Sequence, residues 1–309
     1  MQQTEHEKYL VEEVGIDYAD GLISRREALR RLGMMGVGAM AASSLLAACA
    51  DDAAESPRAT ASASASATAS ASATATTSDP TAGALPSEDI TFPGPNGNVF
   101  GAYAAASDPK GAVLVIHENR GLKDHFKNVA GRLARDGYSA LAIDLLSEEG
   151  GTAALNDDAK AMAALGAASP ARFVADMKAG LDELEKRNAD AKLGIMGFCF
   201  GGGQVWAMLQ DGDERLAAAA PFYGTPPENP DFSKSNAAVL AVYAALDTRV
   251  GATRAAAEAA VKEAELENKF LEYEGADHAF FNDTGQRYNA DAATKVYKEL
   301  IDWFGQHLA

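Results

Sequence analysis

A thiol set between glycines is the first feature of this sequence that could do chemistry. Gly197-Phe198-Cys199-Phe200-Gly201 ends an apolar run at 191–198 and opens a helical pattern at 201–210. A nucleophile on such a strand–turn–helix junction is pushed above the sheet edge, and the small glycines let strand and helix approach closely. The dipole and free N–H groups of the helix that starts there favour a thiolate. A buried structural cysteine is the alternative for a lone Gly-x-Cys-x-Gly, and the strand and helix on either side argue against it. A nucleophilic thiol needs a base and an acid that orients the base. Asp247 follows the apolar run 237–244 and His278 follows the run 269–273, so the chain order is nucleophile, acid, histidine. Asp277 is a rival acid, although sequence neighbours rarely face each other across an imidazole. His117 ends an apolar run and His125 opens a helical one, so both could line the cleft, while His6 and His307 lie near the termini. Glu118-Asn119-Arg120 follows the run 111–117 directly. The loop there would offer the Asn119 N–H to an oxyanion, with the Phe200 N–H as its second donor. Glu118 then falls close to the thiol, unless it pairs with Arg120 or another arginine.

Strand ends must bring these groups together. Residues 111–117 form a short continuous apolar run, as a strand buried on both faces should. Similar runs at 138–143, 191–198, 216–222, 237–244 and 269–273 alternate with helical spacings at 126–136, 157–167, 170–188, 201–210, 251–267 and 290–307. Residues 90–92 and 99–105 are expected to form a short antiparallel start. The alternation implies an α/β protein with a mostly parallel central sheet and helices on both faces, and with the elbow pattern at 197–201 it resembles the α/β-hydrolase fold. Functional groups in such sheets gather beyond the carboxyl ends of the strands.

Hydrophobic residues make up 47% and charged residues 23% of the 309, an ordinary balance for a globular core. The net charge of −17 repels nucleic acid, which is not expected as a partner. Cys49 and Cys199 sit in unlike settings, so no disulfide is expected between them. No group of Cys and His has zinc-ligand spacing, so a structural metal is not indicated.

The amino-terminal part reads differently. Ser24-Arg25-Arg26-Glu27-Ala28-Leu29-Arg30 precedes a weakly apolar stretch, 32–48, that is short and soft for a stable transmembrane helix. It ends in Leu46-Ala47-Ala48-Cys49. The twin arginines resemble a twin-arginine export signal and the ending resembles a lipobox, which implies that Cys49 is lipidated. An uncleaved anchor or a chance Ala-rich helix is the alternative. Residues 59–78 are almost wholly Ala, Ser and Thr and cannot form a core. The expected organisation is a lipoprotein signal over 1–49, a disordered linker over 50–86 and an α/β-hydrolase domain over 87–309. The chain would be exported to a bacterial envelope, lipid-anchored and facing outward from the cytoplasmic membrane.

His117-Glu118-Asn119-Arg120-Gly121, Gly197 to Gly203, Phe222-Tyr223-Gly224, Leu246-Asp247 and Asp277-His278-Ala279-Phe280 together resemble the dienelactone hydrolase family, the carboxymethylenebutenolidases. The resemblance implies a triad of Cys199, His278 and Asp247 that cleaves lactones or activated esters through a thioacyl-enzyme, without metal or cofactor. It also implies that Glu118 sits beside the resting cysteine and governs its ionisation. The best-known members hold a substrate carboxylate with an arginine four residues after the histidine, and here Asn282 stands at that place. Arg120, Tyr223 and Asn282 are therefore the substrate-binding candidates, with Arg172 and Arg249 as further cations. A broad-specificity envelope carboxylesterase or thioesterase is the nearest alternative. A surface-tethered binding module without catalysis is the alternative of another class, and the intact nucleophile, acid and base argue against it.

Overall fold

The computed structural model describes residues 5–55 and 83–309. Three helices come first, α1 (Glu5–Ala19), α2 (Arg25–Met34) and α3 (Ala39–Glu55). The strands that follow are β1 (Glu88–Gly94), β2 (Gly97–Ala104), β3 (Gly111–Ile116), β4 (Tyr138–Asp144), β5 (Leu193–Phe198), β6 (Leu216–Phe222), β7 (Ala238–Ala244) and β8 (Asn268–Tyr273). They form one sheet of eight strands in the order β1-β2-β4-β3-β5-β6-β7-β8. β1 and β2 pair antiparallel, as do β2 and β4, and the remaining pairs are parallel. The mostly parallel sheet is the one that the alternating pattern implied, and the whole is the expected α/β-hydrolase architecture.

Every residue of β3, β4, β5 and β7 is buried, which is why these strands read as unbroken apolar runs rather than alternating ones. Helices α4 (Asp124–Arg135), α5 (Thr152–Leu155), α6 (Asp158–Ala167), α7 (Pro170–Arg187), α8 (Phe200–Asp211), α9 (Thr248–Gly251), α10 (Arg254–Glu263) and α11 (Ala290–His307) connect or close the strands. α4 buries Phe126, Val129, Ala130 and Leu133, one face of a helix. α8 lies against β5 and β6 and beside α7, directly behind the Cys199 turn.

Two local departures from the sequence reading have clear causes. The helix expected over 251–267 is formed only as α10, which starts at Arg254 after the separate turn α9 and ends early, at Glu263. Glu265 takes a left-handed φ of 54°, and Leu266 N–H turns back to the Val261 carbonyl at 3.1 Å. That is a helix-ending motif built without glycine. A short 3-10 turn (Ser147–Glu149) and α5 follow β4 where no periodic element was expected. Asp144 organises them: its carboxylate accepts from Leu146 N at 3.0 Å, Thr152 N at 2.7 Å and Thr152 Oγ1 at 2.8 Å. Asp144→Ala would leave buried donors unmatched. It is expected to cost about 3 kcal/mol and lower the melting midpoint by roughly 6–12 °C, read by calorimetry. An unshifted midpoint would show that Asp144 does not hold this turn.

The amino-terminal helices are docked on the domain. α1 packs against α2, α3 and α6, burying Leu10 and Val14 completely. Ser24 caps α2 by accepting from Glu27 N at 3.2 Å. Arg25 and Arg26 stay exposed at its start. No helix among the described residues is long and apolar enough to cross a membrane. Cys49 falls within α3. The Ala/Ser/Thr-rich stretch 59–78 lies outside the described residues.

Candidate active site

Cys199 stands at the turn between β5 and α8 with φ 55° and ψ −118°. A positive φ at a residue with a side chain is strained, and it survives where the surroundings over-determine it. The glycines supply that constraint. A β-carbon on Gly197 would lie 2.3 Å from Gly201 O, and one on Gly201 would lie 2.5 Å from both Ile116 O and His117 O. The Cys199 amide donates to Phe222 O at 3.0 Å, which ties the turn to β6. Phe200 is the first residue of α8, where helix N–H groups have no partner in the helix. Asn119 is buried in the loop after β3.

Asp247 follows β7 and caps α9, accepting from Val250 N at 3.0 Å. Its other oxygen meets His278 Nδ1 at 2.5 Å. The far face of this pair holds the sulfur, because a Cys199 Sγ and a His278 ring nitrogen lie within 4.8 Å of each other. Tyr223 packs edge-on against the His278 ring, with centroids 5.2 Å apart. Thus Cys199, Asp247 and His278 converge at one sheet edge. The rival acid faces elsewhere: Asp277 accepts from the His278 backbone N–H at 2.7 Å and lies 3.7 Å from Arg287.

The other candidates sort by their partners. Glu118 accepts from Asn282 Nδ2 at 2.9 Å, so Asn282 is turned onto Glu118. Burial raises the Glu118 carboxyl above its ordinary range, against the pull of His125, Asn282 and His278. The bridge from Glu118 to Arg120 does not form, since Arg120 reaches Asp17 at 3.3 Å. Arg172 is engaged with Glu149 at 2.6 Å, away from the triad. His117 accepts from Leu145 N at 3.1 Å through Nε2, which leaves Nδ1 to donate to Glu118 O at 2.6 Å. His125 pairs with Asp283 at 2.6 Å. Both histidines hold loops in place.

Four residues of the site escaped the sequence reading: Tyr9, Glu13 and Asp17 of α1, and Arg287. The Tyr9 hydroxyl and Cys199 Sγ share a hydrogen bond at 3.2 Å. Glu13 lies 3.4 Å from His278 Nε2 and makes a close ion pair with Arg249, whose guanidinium stacks 4.3 Å over the Tyr9 ring. Asp17 takes Arg287 at 3.2 Å as well as Arg120. A cleft of about 640 Å3 opens beside Cys199, walled by Val174, Phe200 and Pro226 and by His6 and Tyr9 of α1. The spacing 6, 9, 13, 17 marks one face of a helix, and that polar stripe was the available signal.

Electrostatics follow from this enclosure. Burial alone would lower the His278 pKa, but Glu13 and Asp247 outweigh it and hold the imidazolium well above the ordinary range. Burial and then Glu13 push the Cys199 thiol up, and His278 only partly opposes them. Glu13, Cys199 and His278 also have the donor types of a metal site. Arg249 and Arg287 beside Glu13 would oppose a divalent cation there.

Comparison with known proteins bears on the whole domain. The sequence model described as "Dienelactone hydrolase family" matches residues 100–308, a span that contains every catalytic candidate. This chain belongs to the dienelactone hydrolase family. Its relatives include a "Putative carboxymethylenebutenolidase" of Methylorubrum extorquens, 30% identical over 237 residues that cover 72% of this chain and 79% of the relative. Another, of the same name from Escherichia coli O157:H7, is 29% identical and covers 72% and 86%. A solved structure of a "Putative Dienelactone Hydrolase" from Klebsiella pneumoniae superposes with a TM-score of 0.65 at 26% identity, covering 73% of this chain and all of that one. The dienelactone hydrolase of Anabaena variabilis shares the fold at a TM-score of 0.55 and 19% identity, with 72% and 98% covered. Membership makes the chain a hydrolase that acts on ester bonds.

Proposed function

We propose that this dienelactone hydrolase family member cleaves lactones or activated esters through a Cys199–His278–Asp247 triad. The observation that carries the reading is His278 held on Asp247 at 2.5 Å while its other face turns to a sulfur on a strained elbow. The Cys199 thiolate attacks the carbonyl carbon and forms the C–S bond. The oxyanion rests on the N–H groups of Phe200 and Asn119. As the tetrahedral centre collapses, the C–O bond breaks and His278 gives its proton to the leaving oxygen. Water then attacks the thioester, His278 takes its proton, and the thiolate leaves. A thiolate suits activated leaving groups such as enolates better than amides. With Asn282 turned onto Glu118, a substrate carboxylate would find its cations in Arg120, Arg249 and Arg287 rather than four residues after the histidine. The Tyr223 ring, edge-on to the imidazole, helps fix the orientation of the base.

Quenching the enzyme during turnover of p-nitrophenyl acetate, or of a dienelactone, and mapping its peptides tests this. An acyl group on Cys199 is expected. Turnover with that peptide always unmodified, under rapid quench, would reject the thioacyl route.

We also propose that the chain is exported and lipid-anchored through Cys49. Cys49→Ala is expected to move the protein from the membrane fraction to the soluble one. Retention in the membrane fraction would reject lipidation there.

A further inference from the structure

We infer that α1 is an inhibitory helix that occupies the substrate site of its own chain, with Glu13 seated beside the catalytic sulfur and imidazole and Asp17 bound to Arg120 and Arg287. The inference rests on the cysteine-hydrolase reading of that site.

The fit is specific. Tyr9, Glu13 and Asp17 lie one helical turn apart on one face of α1. Tyr9 covers Sγ at 3.2 Å, and Glu13 lies 3.4 Å from His278 Nε2, on the side from which a leaving oxygen would collect its proton. Glu13 takes Arg249, and Asp17 takes Arg120 and Arg287, so α1 supplies anionic partners to three cations of the site; Arg287 also meets Asp20 and Asp277, and Arg120 also meets Asp158. Leu10 and Val14 are fully buried on the adjoining face, so α1 is packed there as well as charge-paired. At the amino end, the side-chain amide of Gln204 on α8 donates to His6 Nε2 at 3.0 Å.

The docked state is chemically closed. His278 sits between two carboxylates, Asp247 and Glu13, which together hold its proton. An imidazolium so held does not accept the proton of the thiol, and the Glu13 charge beside the sulfur opposes ionisation further. Arg25 and Arg26 remain exposed while α1 is seated, so an export machinery could grip the closed form. A cut just before Cys49 would remove α1 and α2 entirely and open the site.

The test uses the full chain. Glu13→Gln combined with Asp17→Asn removes both anionic contacts, and Leu10→Asp separately places a charge under α1 to undock it. Each is assayed for kcat/KM on p-nitrophenyl acetate and for the rate at which iodoacetamide alkylates Cys199. Both rates are expected to rise about 5–150-fold, the range of a typical coupling between sites, with the thermal midpoint of the sheet domain retained. A synthetic peptide of residues 5–22 should restore inhibition to Leu10→Asp, and the same peptide carrying Glu13→Gln should not. Rates equal to or below those of the unaltered chain in both variants would overturn the inference and make α1 a working wall of the site. Alkylation reads access to the sulfur whatever the reaction is. Accelerated alkylation together with hydrolysis that survives Cys199→Ala would therefore sink the cysteine mechanism and leave the α1 result standing.

Discussion

Cys199→Ala is expected to lower kcat/KM on p-nitrophenyl acetate by about 10^4-fold or more in the Leu10→Asp background, where the site is open. The argument is positional. The elbow sets one side chain above the sheet edge, with φ 55° held by Gly197 and Gly201; no second thiol stands there among the described residues, and the neighbouring Tyr9 hydroxyl belongs to the α1 helix that Leu10→Asp undocks. Water would have to attack directly, with His278 as base. Fold should survive, because alanine removes one sulfur from a turn whose backbone bonds are made by Phe222 O and Gly203 N. Circular dichroism and a thermal melt check that point. Hydrolysis within tenfold of the Leu10→Asp parent would eliminate Cys199 as nucleophile.

Asp247→Asn is expected to lower kcat by about 10^2–10^4-fold while KM changes little, because it alters the base and not the binding surface. The carboxylate fixes the Nδ1–H tautomer and stabilises the imidazolium. Asparagine does neither, and it can present an N–H to the ring instead. The pH signature has a definite sign. Asp247 and Glu13 raise His278, and His278 in turn lowers the Cys199 thiol. Without the Asp247 charge His278 falls, the thiol rises, and the alkylation profile of Cys199 moves to higher pH. Stability has its own sign. Despite burial, His278 and Arg249 hold the Asp247 carboxyl below its ordinary value. Its contribution is present above the unfolded carboxylate pKa of about 4 and is lost as pH falls through the folded value. The difference in stability between parent and variant should therefore shrink in acid. A kcat within twofold of the parent, or an alkylation profile that does not move, would show that Asp247 does not orient the base.

The sequence was informative where one element carries its own signal. β6 and α11 match their expected bounds, because a buried strand and an amphipathic helix each show their period without help from the rest of the chain. Cys199, Asp247 and His278 were legible for a related reason: each follows a strand end, and parallel strands deliver their ends to the same edge. The turn at 147–155 was not legible. Its order comes from Asp144 and from two glycines with positive φ, not from a repeating pattern. Asn282 stands out by position, but its partner Glu118 lies far off in sequence and only the fold joins them. The largest omission was α1. In the amino-terminal segment the twin arginines and the apolar stretch dominate the pattern, and the acidic residues of α1 stand out less. The partners of Glu13 and Asp17 are arginines at 120, 249 and 287, pairings that no local period can announce.

The phenol of Tyr9 over the sulfur bears on how long the protein lasts. A thiolate is the form that peroxide converts to sulfenic acid, and further oxidation is irreversible. A buried sulfur capped by a tyrosine, its thiol pushed up by burial and by Glu13, reacts far more slowly. Under the proposed inhibition, the seated helix would keep Cys199 in reserve, and the enzyme would become vulnerable to oxidants in the same step that made it active.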